Sequence, residues 1–452
     1  MTMNQAFGDS ARRISRRTAL GLGALGLGAL GAGALAGCSS PAPTPTSGSS
    51  PSMTPTPSMT PTPSNAASEF VFASWLLSDD ASSAALQEAI DRYAETSGAT
   101  ITTATYSYDE YRDRLLEQVT GDEFSGALHI DSAWLPDFAA TGRLAEVGSL
   151  ARGAGFTDRA LLIGESSGNQ LGLPLTNAAI GLIANQDLLD AAEIVTMPTT
   201  LDAFDEALRA LKDSSADVVP YAGLTEQSRL HEMLVWMQTF GSPIIDGGTY
   251  VIGDDASVQA MIWYKSLLDD GLIVPDMGRD AARSLFAQGK VGFYDDVPAA
   301  RDAVLEADPD GELSEAMMPV PRPVLKADDD SHALACGQLI VLVDSDASSA
   351  AGEFAKWLTR DEEQTVAFFE ELGLPPSTDA ALNNESVKQD SFISAFSEKI
   401  TATAMPSPLA GYAKHTGMEA ALAEQIASAL HGDASPSDAM KAAGEAITNL
   451  MV

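Results

Sequence analysis

Cysteine is almost missing from this chain of 452 residues, which holds only Cys38 and Cys336. A disulfide framework is therefore excluded. Aromatic residues make up 6%, too few for a long groove of stacking rings. Basic residues are scarce: 26 Lys and Arg stand against 63 Asp and Glu, a formal net charge of -37. Phosphate backbones and anionic lipid surfaces repel such a body, so nucleic-acid binding is excluded. The acidity itself reads as a soluble, non-adhesive exterior. After residue 37 no apolar run approaches the ~20 residues of a membrane-spanning helix. The five histidines, at 129, 231, 332, 415 and 431, lack zinc spacing, and no metal or cofactor is implied.

What is present begins with a basic stretch, Arg12-Arg13-Ile14-Ser15-Arg16-Arg17, followed by an uncharged Gly/Ala/Leu run to Leu35-Ala36-Gly37-Cys38. A charged region, an apolar region and a small-residue cleavage site make an export signal. Ser15-Arg16-Arg17-Thr18-Ala19-Leu20 resembles a twin-arginine signal, and Leu35-Ala36-Gly37-Cys38 resembles the lipobox of bacterial lipoproteins. The resemblance implies cleavage before Cys38, a lipid on its thiol, and a place on the outer face of the cell membrane. A retained membrane anchor is the competing reading, disfavoured by the glycine content. Residues 39–67 are Pro-, Thr- and Ser-rich with a near repeat, Met53-Thr54-Pro55-Thr56-Pro57-Ser58 and Met59-Thr60-Pro61-Thr62-Pro63-Ser64. Too polar to bury a core, this segment reads as an extended stalk.

The remaining ~385 residues exceed one core, so two lobes are expected. Glu69 to Trp75 reads as a buried strand, Leu86, Ile90 and Tyr93 mark a helix, and a strand from Thr100 to Thr105 follows. A helix through Leu115, Leu116 and Val119 precedes the strand Ala127-Leu128-His129-Ile130-Asp131. This alternation predicts a parallel α/β sheet, with ligands beyond the carboxyl ends of its strands. Helices are predicted at about 200–213, 228–240 and 256–270, strands near 291–294 and 339–343, and a largely helical tail from about 348.

The order of segments resembles the extracellular solute-binding proteins of ABC importers, of the maltose-binding type. The resemblance rests on Trp134 to Ala145, Gly172-Leu173-Pro174-Leu175 with Ile183 to Leu189, Met197 to Phe204, Leu285 to Tyr294, and Gly352 to Gln364 with Gly373-Leu374-Pro375-Pro376. It implies an α/β, two-lobed periplasmic-binding-protein-like fold of type II, each lobe a small mixed sheet flanked by helices, joined by crossover hinges. The implied boundaries are 1–37 signal peptide, 38–67 lipidated Cys38 and linker, 68–175 with 336–377 for lobe 1, and 176–335 with 378–452 for lobe 2. It also implies a monomer without cofactor or metal, a small-molecule ligand of carbohydrate type, and ABC permease subunits as partners.

Carried over segment by segment, the resemblance implies ligand contacts from Trp75, Asp131, Trp134, Thr176, Asn177, Trp236, Phe240, Tyr294, Asp295, Asp296 and Gln338. Rings offer flat faces to sugar C–H groups, and Asp, Asn and Gln bond hydroxyls. Each has a plainer reading: Trp236 and Phe240 lie four apart as core helix residues do, Trp134 can anchor its helix, and the aspartates can cap helices. Two departures from the family leave the solute open between a small sugar, a polyol and a cation. Asp296-Val297-Pro298 leads to Ala299-Ala300 with no ring, and Ala184 replaces a tyrosine before Asn185.

Three motifs fail on context. Gly21-Leu22-Gly23-Ala24-Leu25-Gly26 lies in the signal, outside any βαβ unit. Gly164-Glu165-Ser166-Ser167-Gly168 mimics a nucleophile elbow, yet Asn169, Gly172 and Pro174 follow where a helix must start. Glu306, Asp308, Asp310 and Gly311 mimic a calcium loop whose twelfth position is Met317. Two other functions fit the same front end. A lipid-anchored enzyme acting on extracellular glycans needs paired carboxylates such as Asp131 and Asp295, and a non-transport sensor or adhesin needs only the binding cleft. If Cys38 carries the lipid, the denatured mature protein takes up one thiol label, at Cys336, and Cys38→Ala is recovered in the soluble fraction. Two labels per chain would show that Cys38 is unmodified.

Overall fold

The computed structural model describes residues 69–79, 82–301, 304, 312–343, 348–373 and 375–451. The export signal, Cys38, the stalk and the calcium-like stretch at 306–311 lie outside the described residues. β1 (Glu69–Ala73), α1 (Ser83–Ser97), β2 (Thr100–Ala104), α2 (Tyr108–Thr120) and β3 (Gly126–Asp131) follow the expected alternation. Helix α1 buries Leu86, Ala89 and Ile90 on one face and stops at Gly98, where φ is 75° and the amide bonds Ala94 O. β1 pairs in parallel with both β2 and β3, which the intervening helices allow as crossover connections.

β4 (Gly172–Asn185) is 14 residues long and buried throughout. After it come α3 (Leu201–Ser214), β5 (Val219–Ala222), α4 (Leu234–Thr239), α5 (Asp255–Asp269), α6 (Arg279–Phe286), β6 (Val291–Asp296) and β7 (Met317–Val320). The helix expected over 228–240 is instead a 3-10 turn at Gln227–Met233 running into α4. β8 (Ala333–Leu342) then precedes α7 (Ser348–Arg360), α8 (Glu362–Leu372), α9 (Ser391–Lys399), β9 (Ala404–Met405), α10 (His415–His431) and α11 (Pro436–Leu450).

All described residues belong to one compact unit. Its main sheet follows the path β2-β1-β3-β8-β4-β6-β5, with β7 also on β4 and β9 on β8, and two short hairpins stand apart from it. β4 and β8 run antiparallel from Gly172/Val341 to Ile180/Leu334, with an irregularity between Gln338 and Leu339. Beyond that ribbon, β4 pairs with β6 and β7. The two sheets of a two-lobed α/β protein are thus joined by strands that belong to both.

Three apolar cores follow. In the first lobe Phe70, Phe72, Leu128, Ile130, Leu339 and Phe354 pack together. In the second, alternate residues of β4 face opposite layers: Ile180, Leu182 and Ala184 join the core of α3, α4, α5, α10 and α11, whereas Ala179 and Ile183 join that of α6 and α9. This is the period-2 rule for a strand covered on both faces. α3 shows the matching helical logic, with Thr200 Oγ1 accepting from Ala203 N–H and Leu201, Phe204, Leu208 and Leu211 buried.

Gly126 starts β3 at φ 144°, and a Cβ there would lie 2.0 Å from Val71 O. Gly126→Ala is expected to cost about 3 kcal/mol or more, since strain and overpacking act at once. A chemical-denaturation midpoint equal to that of the native chain would contradict this close approach.

Candidate functional site

At the carboxyl ends of β1 and β3 the first lobe gathers a nest of rings. Trp75 begins a 3-10 turn directly after β1, is 4% exposed, and stacks on His129 with centroids 3.9 Å apart. Tyr108, Tyr111 and Trp134 meet it edge-on at 5.2, 5.3 and 5.3 Å. His129 is held between Ser74 Oγ at 2.9 Å and Gln338 Oε1 at 3.1 Å. Burial lowers its pKa to about 3, so the ring is neutral at physiological pH. Gln338 lies on β8, so this contact ties the hinge ribbon to the first-lobe nest.

Asp131 ends β3 and accepts from Ala133 N–H at 2.9 Å, capping the turn Ser132–Trp134. Burial raises its pKa from 3.8 to about 6, against the pull of that bond, the Tyr108 hydroxyl and the charge of Arg229 in the second lobe. Thr176 Oγ1 accepts from Gln338 N–H at 3.0 Å, and Asn177 N–H donates to Pro375 O at 3.2 Å. Both residues sit inside the β4–β8 ribbon.

The second lobe holds a buried ionic network beside the ribbon. Asp296 takes a two-pronged bond from Arg283, at 2.9 and 2.8 Å. Asp295 binds Arg322 and the Tyr221 hydroxyl. Glu232 binds Arg279 and lies 3.5 Å from Arg229. Arg322 also lies over the Trp236 ring, 4.5 Å from its centroid. Trp236 packs against Phe204, Tyr221 and Trp263, Phe240 packs on Trp263, and Tyr294 is fully buried against Phe286.

A cavity of about 410 Å³ opens where these parts meet. Ser132, Ala133, Leu135 and Pro136, just past β3, form one wall. Ile180 of β4 and Leu334, Ala335 and Cys336 of β8 form its floor. His231, Glu232 and Leu234 enter from the second lobe, and Met405, Ser407, His415 and Glu419 close it from the tail. The mouth carries Glu165, Ser167 and Gly168. Here the failed nucleophile-elbow motif is a hairpin, Glu165–Ser166 pairing Asn169–Gln170, with φ 51° at Ser167 and 78° at Gly168. A second void of about 20 Å³ touches Arg229, Glu232, Trp236, Asp295 and Arg322, room for about one water.

None of the eleven residues singled out from the sequence is among those lining the larger cavity. Asp131 and Trp134 flank its wall residues, Thr176, Asn177 and Gln338 lie in the ribbon beneath it, and Trp236 and Asp295 border the smaller void. Trp75, Phe240, Tyr294 and Asp296 are packed in ring clusters or ion pairs. The lining residues from the tail carried no sequence signal, because a lone His or Glu on a helix looks like any solvated face.

The sequence profile of the bacterial extracellular solute-binding proteins matches residues 88–394. Binding proteins of Brucella abortus and Brucella suis are 25% identical over 237 residues, 50% of this chain. The chain spans little more than half, 57%, of the length of these curated relatives. Among solved structures, the sugar-binding protein MalE from Xanthomonas citri superposes with a TM-score of 0.74 at 15% identity, over 85% of this chain and 97% of that one. The cyclic α-maltosyl-1,6-maltose binding protein from Arthrobacter globiformis gives 0.72 at 20%, over 85% and 98%. The GacH receptor of Streptomyces glaucescens, solved unliganded and with acarbose, gives 0.70 at 19%, over 85% and 98%. These likenesses establish the two-lobed fold.

The raised pKa of Asp131 has a signed consequence for stability. The folded state holds this proton more tightly than the unfolded chain, an advantage complete below about pH 4 and lost as pH rises through about 6. Asp131→Asn keeps an acceptor for Ala133 N–H without titrating. Between about pH 4 and pH 7 the native protein is expected to lose about 2 kcal/mol relative to the variant in denaturant melts. Parallel pH profiles would show that burial leaves Asp131 unshifted.

Proposed function

Because the chain belongs to the bacterial extracellular solute-binding proteins, and is accordingly a binding protein and not an enzyme, we propose that it captures a small sugar, oligosaccharide or polyol between its lobes. The cavity carries this reading. About 410 Å³ of space lies at the carboxyl end of β3, over the β4–β8 ribbon, with walls from both lobes. It falls in the range of roughly 300–1,000 Å³ typical of small-molecule sites and has their apolar floor and few polar groups. Serine hydroxyls, glutamates and histidines at its rim match solute hydroxyls. Structural relatives whose names record maltose-type or other sugars favour the same class.

In this reading lobe 1 comprises 68–175 and 336–377, and lobe 2 comprises 176–335 and 378–452, with Thr176, Asn177 and Gln338 at the hinge. Asp131 and Trp134 hold the wall that touches the solute, and the Trp75 nest sets the position of that wall. The loaded protein delivers its solute to ABC permease subunits. A lipid on Cys38 and the stalk over 39–67 keep it near them at the outer face of the membrane.

A panel of monosaccharides, disaccharides and polyols should contain a member that raises the melting temperature, since a ligand at 100 times its Kd adds about 2.7 kcal/mol. Ala410→Trp, which places an indole in the cavity, should abolish that shift while the unliganded melt stays close to native. A flat response across the panel, or binding undiminished in the variant, would move the site elsewhere.

A further inference from the structure

We propose, resting on the reading above, that the solute is a deoxy sugar, carrying a methyl or methylene where common hexoses carry a hydroxyl, and that this part lies on an aliphatic strip across the cavity floor. Leu334 on β8 is the register partner of Ile180 on β4 and of Met405 on β9. Register partners on adjacent strands face the same side of a sheet at steps of about 4.8 Å, so the three side chains form a row about 10 Å long. All three line the cavity. Among the large apolar side chains that stand exposed in the described residues, Met405, at 40%, is the one in this space. Leu162 lines the cavity beside it: Arg159, three residues earlier on the same short helix, Asp158–Leu162, donates to Met405 Sδ.

This strip gives a hydroxyl no partner. The backbone N–H and C=O groups of paired strands point along the sheet toward their neighbours and not up into the cavity, and Ile180, Leu334 and Met405 all lie in such pairs. The single polar side-chain atom in the row is the Met405 sulfur, a weak acceptor that already takes the Arg159 N–H. A hydroxyl pressed on this surface loses its water without replacement, whereas a methyl there gains by burial. The polar groups stand elsewhere: Ser132 on the wall, Glu165 and Ser167 at the mouth, and Ser407 on the tail. Among the described residues no Asn, Gln, Asp, Lys or Arg lines the cavity, and no Trp, Tyr or Phe. Hydrogen bonds are thus offered along one side and aliphatic contact along the other, which fits a solute with hydroxyls on one edge and bare carbon on the opposite edge.

The test compares matched pairs by calorimetry on the full chain in detergent: quinovose with glucose, L-fucose with L-galactose, and L-rhamnose with L-mannose. In a pair that binds, the deoxy member should bind at least about fivefold tighter, the cost of one hydroxyl left unpaired against an aliphatic surface. That ratio should fall toward one in Met405→Gln, alone or with Leu162→Gln, and should be kept in Met405→Leu. Equal or tighter binding of the hydroxylated members, or a ratio that survives Met405→Gln with Leu162→Gln, would overturn the deoxy sugar and leave the sugar reading standing. Binding of neither member of any pair would also overturn the deoxy sugar, and only a flat response to the wider panel above would overturn both.

Discussion

The antiparallel pairing of β4 with β8 is the constraint on which the remaining structure depends. Its register, from Gly172 opposite Val341 to Ile180 opposite Leu334, fixes how the two lobes meet. Because side chains alternate along a strand, the same register sends Ala179 and Ile183 to one core and Ile180, Leu182 and Ala184 to the other. It brings Gln338 to His129 and lays Leu334, Ala335 and Cys336 along the cavity floor. Gly337 keeps the strands close, since a Cβ there would lie 2.4 Å from Thr176 O. A slip of one residue would reverse all of these at once.

Charge is distributed unevenly across this frame. The exterior is strongly acidic, whereas four arginines, Arg229, Arg279, Arg283 and Arg322, are brought together in the second lobe around Glu232, Asp295 and Asp296. Buried pairs of this kind contribute little net stability, because desolvation offsets the attraction, but breaking one is costly. They hold Trp236, Tyr221 and β6 in one arrangement. Asp131, whose charge feels Arg229 across the cleft, links that network to the first lobe. Glu232 touches both the network and the cavity, so the ion pairs of the second lobe reach the cavity wall.

The legible parts of the fold were those written in periodicity. Leu86, Ile90 and Gly98 marked a helix and its stop, and Ala127 to Asp131 marked a strand, because burial of one face or both leaves a local pattern. Trp236 and Phe240 show where pattern stops: rings four apart on a helix serve a core and a binding face equally well, and here they pack on Trp263. The aspartates that end β6 sat where a ligand contact was expected, but their partners Arg283 and Arg322 come from separate segments. No spacing rule connects those.

The sequence by itself determined an α/β chain long enough for two lobes, with an acidic surface, an order of segments like that of solute-binding proteins, and one cysteine beyond the export-like start. These follow from composition and short-range pattern, which each segment carries alone. Tertiary structure decided where the cavity lies and what lines it. Ser132, Glu165, Ala335, His231 and His415 are far apart in the chain and share no motif, and only the crossing of two strands between the lobes brings them to one space.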